Sequence, residues 1–236
     1  MLHYGAEYLR EAIQSINPFV DKINILYSPK PTHQAVKGLV CPDSDQTLKN
    51  IVRAATNKAT WHEVNVSGEN VHLSQAWQHC GDCDLMLRLD SDEVWNQDSL
   101  QNCIDQAAKI DSQYIGVYGF VNFWRSFNWV VLDRFGPIRI HNMRSKNKAP
   151  QFIDGTIYHF GYATKPAYMK YKMKIHGHRD EFRADWIARW LTWKPGTAGQ
   201  NWHPVTDAYW HTIDPFDKYQ LPAFMYSHPY FNLEMI

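Results

Sequence analysis

Between Tyr8 and Leu89 the hydrophobic period of the chain switches repeatedly between helical and extended, and this alternation restricts the fold more than any other feature. Tyr8, Leu9, Ala12, Ile13 and Ile16 recur at helical spacing, and Asn17-Pro18 ends that helix before the apolar run Ile23 to Tyr27. A second helix reads through Leu48, Ile51, Val52 and Ala55, then a strand around Trp61 to Val66, a third helix around Val71 to His79, and an apolar strand from Leu85 to Leu89. Alternation with short connections favours an α/β fold with a mainly parallel sheet flanked by helices, over a sandwich or a bundle. Leu100, Cys103, Ile104, Ala107 and Ala108 mark a further helix, and Tyr114 to Phe123 a further strand.

After Trp124 the sequence turns aromatic, turn-rich and basic, with strands expected near Trp129 to Leu132, Ile138 to His141 and Thr156 to Phe160. Phe182, Trp186, Ile187, Trp190 and Leu191 mark an amphipathic helix. The tail from Pro195 is rich in Trp, Tyr, His and Pro, which predicts irregular chain packed on the body, since disordered tails are poor in aromatics. No repeat or low-complexity linker interrupts the chain. We therefore read 1–236 as a single domain, with a nucleotide-type half (1–124) and a second half (125–236) that completes a cleft. At 236 residues and 44% hydrophobic content it can bury a sizeable core.

The 24 basic and 24 acidic residues cancel, so no global charge draws the chain to nucleic acid or an anionic membrane. Their distribution is uneven. Between Arg134 and Lys194 there are 13 Lys and Arg against 4 Asp and Glu, a net +9, which leaves −9 elsewhere. Such a basic third expects an anionic partner, with a solvated lysine-rich face as the bland alternative. No apolar run approaches membrane-spanning length, and Met1 to Arg10 lacks the pattern of a signal peptide, so a cytoplasmic protein with no membrane contact and no obligate protein partner is expected. Four cysteines in that setting are expected to be reduced. Cys80-Gly-Asp-Cys83 has zinc or redox spacing, but Cys41 and Cys103 supply no matching second pair, so simple packing is the default.

The sharpest local feature is Leu85-Met-Leu-Arg-Leu-Asp-Ser-Asp-Glu-Val-Trp95, an apolar strand running directly into Asp90, Asp92 and Glu93. Ligands of open α/β sheets bind at the carboxyl ends of strands. Carboxylates two residues apart at such an end can share one hard cation, and that cation can bridge a diphosphate. The competing reading is an acidic turn that caps the helix starting near Gln97.

On these residues the chain resembles the GT-A fold glycosyltransferases, in particular the inverting group called family 2. Asp90-Ser-Asp92 looks like their DxD motif, Gly5 to Ile16 like their first helix, and Asp21 to Ser28 like their second strand with its nucleotide-facing loop. The resemblance covers roughly Leu2 to Arg189. It implies Mn or Mg on Asp90 and Asp92 with a nucleotide-diphosphate sugar, most simply a UDP-sugar, as donor. It places His3, Tyr4, Gly5, Tyr27, Ser28 and Asp90 around that donor, and Tyr158-His159-Phe-Gly-Tyr162 looks like the segment whose histidine completes the metal site. A His joining two Asp residues suits Mn. His176-Gly-His178-Arg-Asp-Glu-Phe-Arg183 resembles the motif that carries the catalytic base, so Asp180 or Glu181 would deprotonate the acceptor hydroxyl, with Asp154 as a further candidate and capping of the following helix as their structural alternative. Two features depart from the pattern. Only Met1 and Leu2 stand where a first strand would be, so the sheet starts late or that strand is cut short. The second strand runs into Tyr27-Ser-Pro-Lys-Pro31 rather than an acidic turn, as in a divergent branch.

The same motifs are similar to those of small bacteriophage transferases associated with hydroxylases of the ten-eleven-translocation type, which glycosylate 5-hydroxymethylcytosine in viral DNA. That implies modified DNA as acceptor and agrees with the +9 segment, where Lys170, Lys172 and Lys174 alternate with Met169, Tyr171, Met173 and Ile175. A carbohydrate acceptor stays open, since aromatics also stack on sugar rings. In another class, strand-Asp-x-Asp fits haloacid-dehalogenase-type phosphatases with Asp90 as nucleophile. A non-catalytic nucleic-acid-binding module would leave the three acids without a purpose.

Overall fold

The computed structural model of the protein describes residues 2–31, 38–64, 69–132, 136–176, 179–197, 200–206 and 208–236. Helix α1 (Leu9–Ile16) turns Leu9, Ala12, Ile13 and Ile16 inward, and the Asn17-Pro18 stop becomes a 3-10 turn over Asn17–Phe19. Strand β1 (Ile23–Tyr27), α2 (Asp45–Ala55), β2 (Ala59–Glu63) and α3 (Glu69–Cys80) follow in the expected alternation. Ser44 starts α2 by accepting the Thr47 N–H at 3.1 Å, a cap worth about 1 kcal/mol. Strands β3 (Leu85–Leu87) and β4 (Glu93–Trp95) bracket the acidic segment, and α4 (Gln97–Ala107) begins just beyond it. The second half adds β5 (Ile115–Trp124), β6 (Trp129–Leu132), β7 (Ile138–Asn142), β8 (Gln151–Tyr162), α5 (Pro166–Ile175), α6 (Trp186–Thr192) and β9 (Asp214–Pro215).

β1 and β2 form a two-stranded parallel sheet, and Leu2 adds one parallel bridge to Tyr27 on the other edge of β1. The larger, seven-stranded sheet runs β3-β7-β5-β6-β9, with β8 beside β5 and β4 beside β8. Among the described residues its pairs are antiparallel except β5 with β8. The α/β class is as expected, but the main sheet is not the mainly parallel one. The reason lies in the connections: residues 125–128 join β5 to β6 and residues 133–137 join β6 to β7. A parallel crossover needs a dozen residues or more, so the link after β5 makes β6 return antiparallel to it, and β7, which continues in the direction of β6, is antiparallel to β5 as well. β5 and β8, with two strands between them in sequence, have the length to run parallel.

The two sheets share one core, in which Ile13, Ile25, Leu48, Leu100, Ile115 and Ile140 pack together. A second cluster gathers Trp124, Trp186, Trp190, Trp193, Trp202 and Trp210 around Met169. The aromatic tail packs on the body as expected, with Leu221, Met225, Tyr230 and Phe231 buried.

Three expectations need correction. The helix read from Phe182 to Leu191 is shorter: a 3-10 turn over Arg179–Glu181 precedes α6, which starts at Trp186. Lys170, Lys172 and Lys174 lie on a helix, so they do not share a face; Lys170 and Lys174 are exposed while Lys172 turns inward. Cys80 and Cys83 are joined in a disulfide at the end of α3, with Cα atoms 5.9 Å apart, rather than reduced; Cys41 and Cys103 are free. Among the described residues no helix is long and apolar enough to cross a membrane.

Candidate functional site

The acidic segment is clamped from β7. Glu93 is 1% exposed and Arg139 8%, and the Arg139 Nε donates to both Glu93 oxygens at 2.8 and 3.1 Å while its Nη2 reaches Glu93 Oε1 and, at 3.0 Å, Asp90 Oδ2. The Asp90 N–H donates to Glu93 Oε2 at 3.3 Å. A planar guanidinium can serve two carboxylates at once in this way, which a lysine cannot. Burial pushes the Asp90 carboxyl up, but the Arg139 charge outweighs it and leaves the group below the usual carboxylate range. None of these acids caps α4. Asn96 does, accepting the Ser99 N–H at 3.0 Å.

Asp92 faces the second half of the chain. β8 pairs with β4 so that His159 lies opposite Glu93, and with β5 so that His159 lies opposite Asn122. The His159 Nδ1–H donates to Asn122 Oδ1 at 2.5 Å, which leaves Nε2 as the nitrogen aimed at Asp92, 3.6 Å from Oδ2. From α5 the Lys172 ammonium donates to the same Asp92 oxygen at 3.3 Å and to the Gly161 carbonyl at 3.2 Å. Burial raises the Asp92 carboxyl, yet Lys172 and His159 together hold it well below the usual range. Asp92 keeps 26% of its side chain exposed, so a ligand in the cleft can reach it.

Asp92 and His159 are oxygen and nitrogen donors of the kind Mn takes, and the Asn122 hydrogen bond fixes the imidazole as outer partners of metal-binding histidines do. Among the described residues no group of three or more His, Cys, Asp and Glu side chains is placed to hold a metal ion. Two donors from the chain suit an ion that takes the rest of its shell from substrate phosphates and water.

The opposite wall comes from the start of the chain and the end of β1. The His3 Nδ1–H donates to the Ser28 carbonyl at 2.8 Å, and its Nε2 accepts the Tyr171 hydroxyl at 2.7 Å. Burial lowers the pKa of His3, in keeping with a neutral ring. Ser91, between the two aspartates, donates to the Tyr4 carbonyl at 3.1 Å. Gly5 sits against the same serine with φ +124°, and a Cβ there would fall 2.1 Å from Ser91 Oγ, so only glycine fits. Burial raises the Tyr4 phenol far above its ordinary value, and the charge of Asp92 adds to that. Asp43 accepts the Gly5 and Ala6 N–H groups at 2.7 and 2.9 Å and pins this turn. The Tyr27 ring packs on Trp61 at 4.9 Å.

The structure thus links His3, Tyr4, Gly5, Ser28, Asp90, Asp92 and His159 in one connected cluster of contacts. Asp154 is not part of it. It lies exposed, five residues before His159 along β8, about 16 Å away in an extended strand. Asp180 and Glu181 are exposed on the 3-10 turn after α5, and Asp185 rather than either of them precedes α6. Sequence reasoning missed Arg139, Asn122, Tyr171 and Asp43 and grouped Lys172 with Lys170 and Lys174 as part of the basic segment that would meet the acceptor. Only Arg139 carried a signal: a charged residue inside the apolar strand Ile138-Arg-Ile-His141. The basic segment is also less free than its count. Arg139 and Lys172 point inward, Arg144 pairs with Asp84 and Arg189 with Asp185 at the surface. No protein-family model matches this chain, and no curated protein matches it.

Proposed function

We propose that the protein transfers a sugar from a nucleotide-diphosphate sugar to an acceptor hydroxyl, on an arrangement of the GT-A type. The observation that carries this reading is the meeting of the His3–Gly5 turn, which is bonded to Ser28 at the end of β1, with the Asp90–Asp92 loop after β3, where Asp92, His159 and Lys172 converge. Ligands of α/β sheets take that position. Mn or Mg bound by Asp92 and His159 would neutralise the diphosphate and make it a better leaving group.

The chain's own residues divide the remaining work. His3, Tyr4 and Ser28 flank the base and ribose, with Gly5 keeping the turn close to Ser91. Lys172 sets a second positive charge beside the diphosphate, and Arg139 holds the Asp90 loop in register. In the transfer, the acceptor oxygen bonds to the anomeric carbon as the bond from that carbon to the diphosphate oxygen breaks. The electron pair leaves with the diphosphate, and the acceptor proton passes to a carboxylate, for which Asp180 and Glu181 are the candidates.

As acceptor we propose 5-hydroxymethylcytosine in DNA, supported by the exposed Lys146, Lys148, Lys170, Lys174 and Lys194. The test is incubation with Mn and a panel of nucleotide sugars, alone and with duplexes that carry or lack 5-hydroxymethylcytosine. Slow sugar-nucleotide hydrolysis and a mass increase on the modified nucleoside are expected. Transfer to an oligosaccharide instead would refute the DNA acceptor alone, whereas cleavage of simple phosphate monoesters without sugar-nucleotide turnover would favour a phosphatase and refute the whole reading.

A further inference from the structure

Two strand edges face each other across an apolar slot. On β1, the Ile23 N–H bonds to Lys58 and the Tyr27 carbonyl to Val64, so the odd-numbered residues serve β2 and the backbone groups of Asn24 and Leu26 point the other way. Leu2 takes up the end of that edge: its N–H donates to the Leu26 carbonyl and its own carbonyl accepts the Ser28 N–H, both at 2.9 Å. On β3, the Asp84 carbonyl and the Arg88 N–H bond to β7, so the backbone groups of Leu85 and Leu87 also point away from their only ladder. Between these edges lies a cavity of about 540 Å³, lined by β1, β3 and Leu2. Ala12, Ile13 and Ile104 line it on the α1 and α4 side, and Ala76 of α3 lines it with Leu26 on the opposite face of β1. Backbone groups buried against apolar side chains cost free energy unless they are paired, and a slot with such groups on both sides matches an extended chain rather than a compact ligand.

We propose that this slot takes one β-strand, parallel to β1 and β3, that leads directly into Leu2. The direction follows from two contacts: Leu2 already bridges β1 in parallel, and Ser91 just past β3 bonds to Tyr4 just past Leu2, so both chains leave the slot on the same side. The occupant is continuous with Leu2, because a strand from a second copy would compete with Leu2 for the edge it already holds. With Leu2 opposite Tyr27, it needs four residues to reach Ile23 at the start of β1, and since both faces of the slot are apolar its side chains are apolar throughout rather than alternating. In place, it pairs Asn24, Leu26, Leu85 and Leu87 and joins the two sheets into one, which fixes the Ser28 loop relative to the Asp90 loop. This holds whether or not the transferase reading does.

The test extends the full chain ahead of Met1 by Val-Ile-Val-Ile-Val, by Thr-Val-Thr-Val-Thr, or by Asp-Lys-Gly-Lys-Asp. The Val-Ile extension should raise the melting temperature by roughly 5 °C or more, the Thr-Val extension by less, since it puts hydroxyls on one apolar face, and the charged one not at all. Amide exchange at Leu26, Leu85 and Leu87 should slow on the order of a hundredfold with the two β-forming extensions alone. Equal effects from all three, or unchanged exchange at those amides, would overturn the proposal. Stabilisation that appears only in a strand-swapped dimer would overturn the in-line occupant.

Discussion

Replacing Arg139 by methionine removes the cation that Glu93 and Asp90 share, and the structure sets the size of the effect. Glu93 is 1% exposed and its side chain loses a guanidinium that contacts both of its oxygens, whereas Asp90 keeps 30% of its side chain exposed and can turn to water. Breaking a buried pair by removing one partner costs about 3–5 kcal/mol, because the other charge stays buried without compensation. In a chain of this size each kcal/mol moves the melting temperature by about 2–4 °C, so Arg139→Met should melt roughly 6–20 °C lower. Removing both buried charges is a different perturbation. The pair Glu93→Leu with Arg139→Met leaves no unpaired buried charge and should recover most of the loss, a strongly non-additive result. Arg139→Lys should fall between, since an ammonium cannot serve two carboxylates in a fork. Thermal and urea unfolding, followed by circular dichroism and tryptophan fluorescence, report all five proteins, the Glu93→Leu single variant included. A single variant within about 1 kcal/mol of the parent, or a double variant that simply adds the two losses, would show that this clamp does not hold the acidic loop.

Asp92→Asn should abolish sugar-nucleotide hydrolysis in a protein that still folds but melts lower at neutral pH, because Lys172 loses its carboxylate, and activity and calorimetry on the same sample would check both. His159→Ala should weaken Mn binding measured by electron paramagnetic resonance in the presence of a nucleoside diphosphate, and Asn122→Ala should weaken it in the same direction, about 10-fold or more, through the lost imidazole orientation. Stability should fall with acid in two stages. His141, which burial and the nearby arginines Arg88 and Arg139 lower to about 4, binds its proton less readily folded than unfolded, so stability declines from about pH 6.5 toward 4 and His141→Phe flattens that stage. Asp90 and Asp92 lie below their ordinary range, so their contribution is full above about pH 4 and is lost below it, and urea midpoints for Asp92→Asn should decline less there. Reducing the Cys80–Cys83 disulfide opens a loop of only a few residues, worth about 2 kcal/mol in chain entropy, so dithiothreitol should lower the melting temperature by only a few degrees.

What was legible in the sequence was local. The stripe Leu9, Ala12, Ile13 and Ile16 and the stop at Asn17-Pro18 act within one or two helical turns, and α1 appears where they place it. Strand direction depends on which residues meet across the fold, and the sequence shows that only through connection lengths; the short link after β5 was the available clue to antiparallel pairing. β4 was hidden because Glu93, Val94 and Trp95 are too few to show a period. Asp90 and Asp92 stood out because acids directly after an apolar strand are unusual, but their cationic partners come from Arg139 and Lys172, 49 and 80 residues away in the chain. The lysines of α5 misled for a plain reason: every-second spacing looks like one face on a strand and becomes opposite faces on a helix.

That geometry makes α5 a lever. Lys170 and Lys174, one helical turn apart, form its outer handle, and Lys172 on the far side is the tip that rests on Asp92. A helix of this length moves as a rod, so a pull of a few tenths of an ångström on the handle displaces the tip by a similar amount. At the tip the spacing to Asp92 is 3.3 Å, and there is little slack before that contact opens. The exposed lysines and the contact with Asp92 are therefore carried by one helix, so any displacement of α5 from outside moves Lys172 with it.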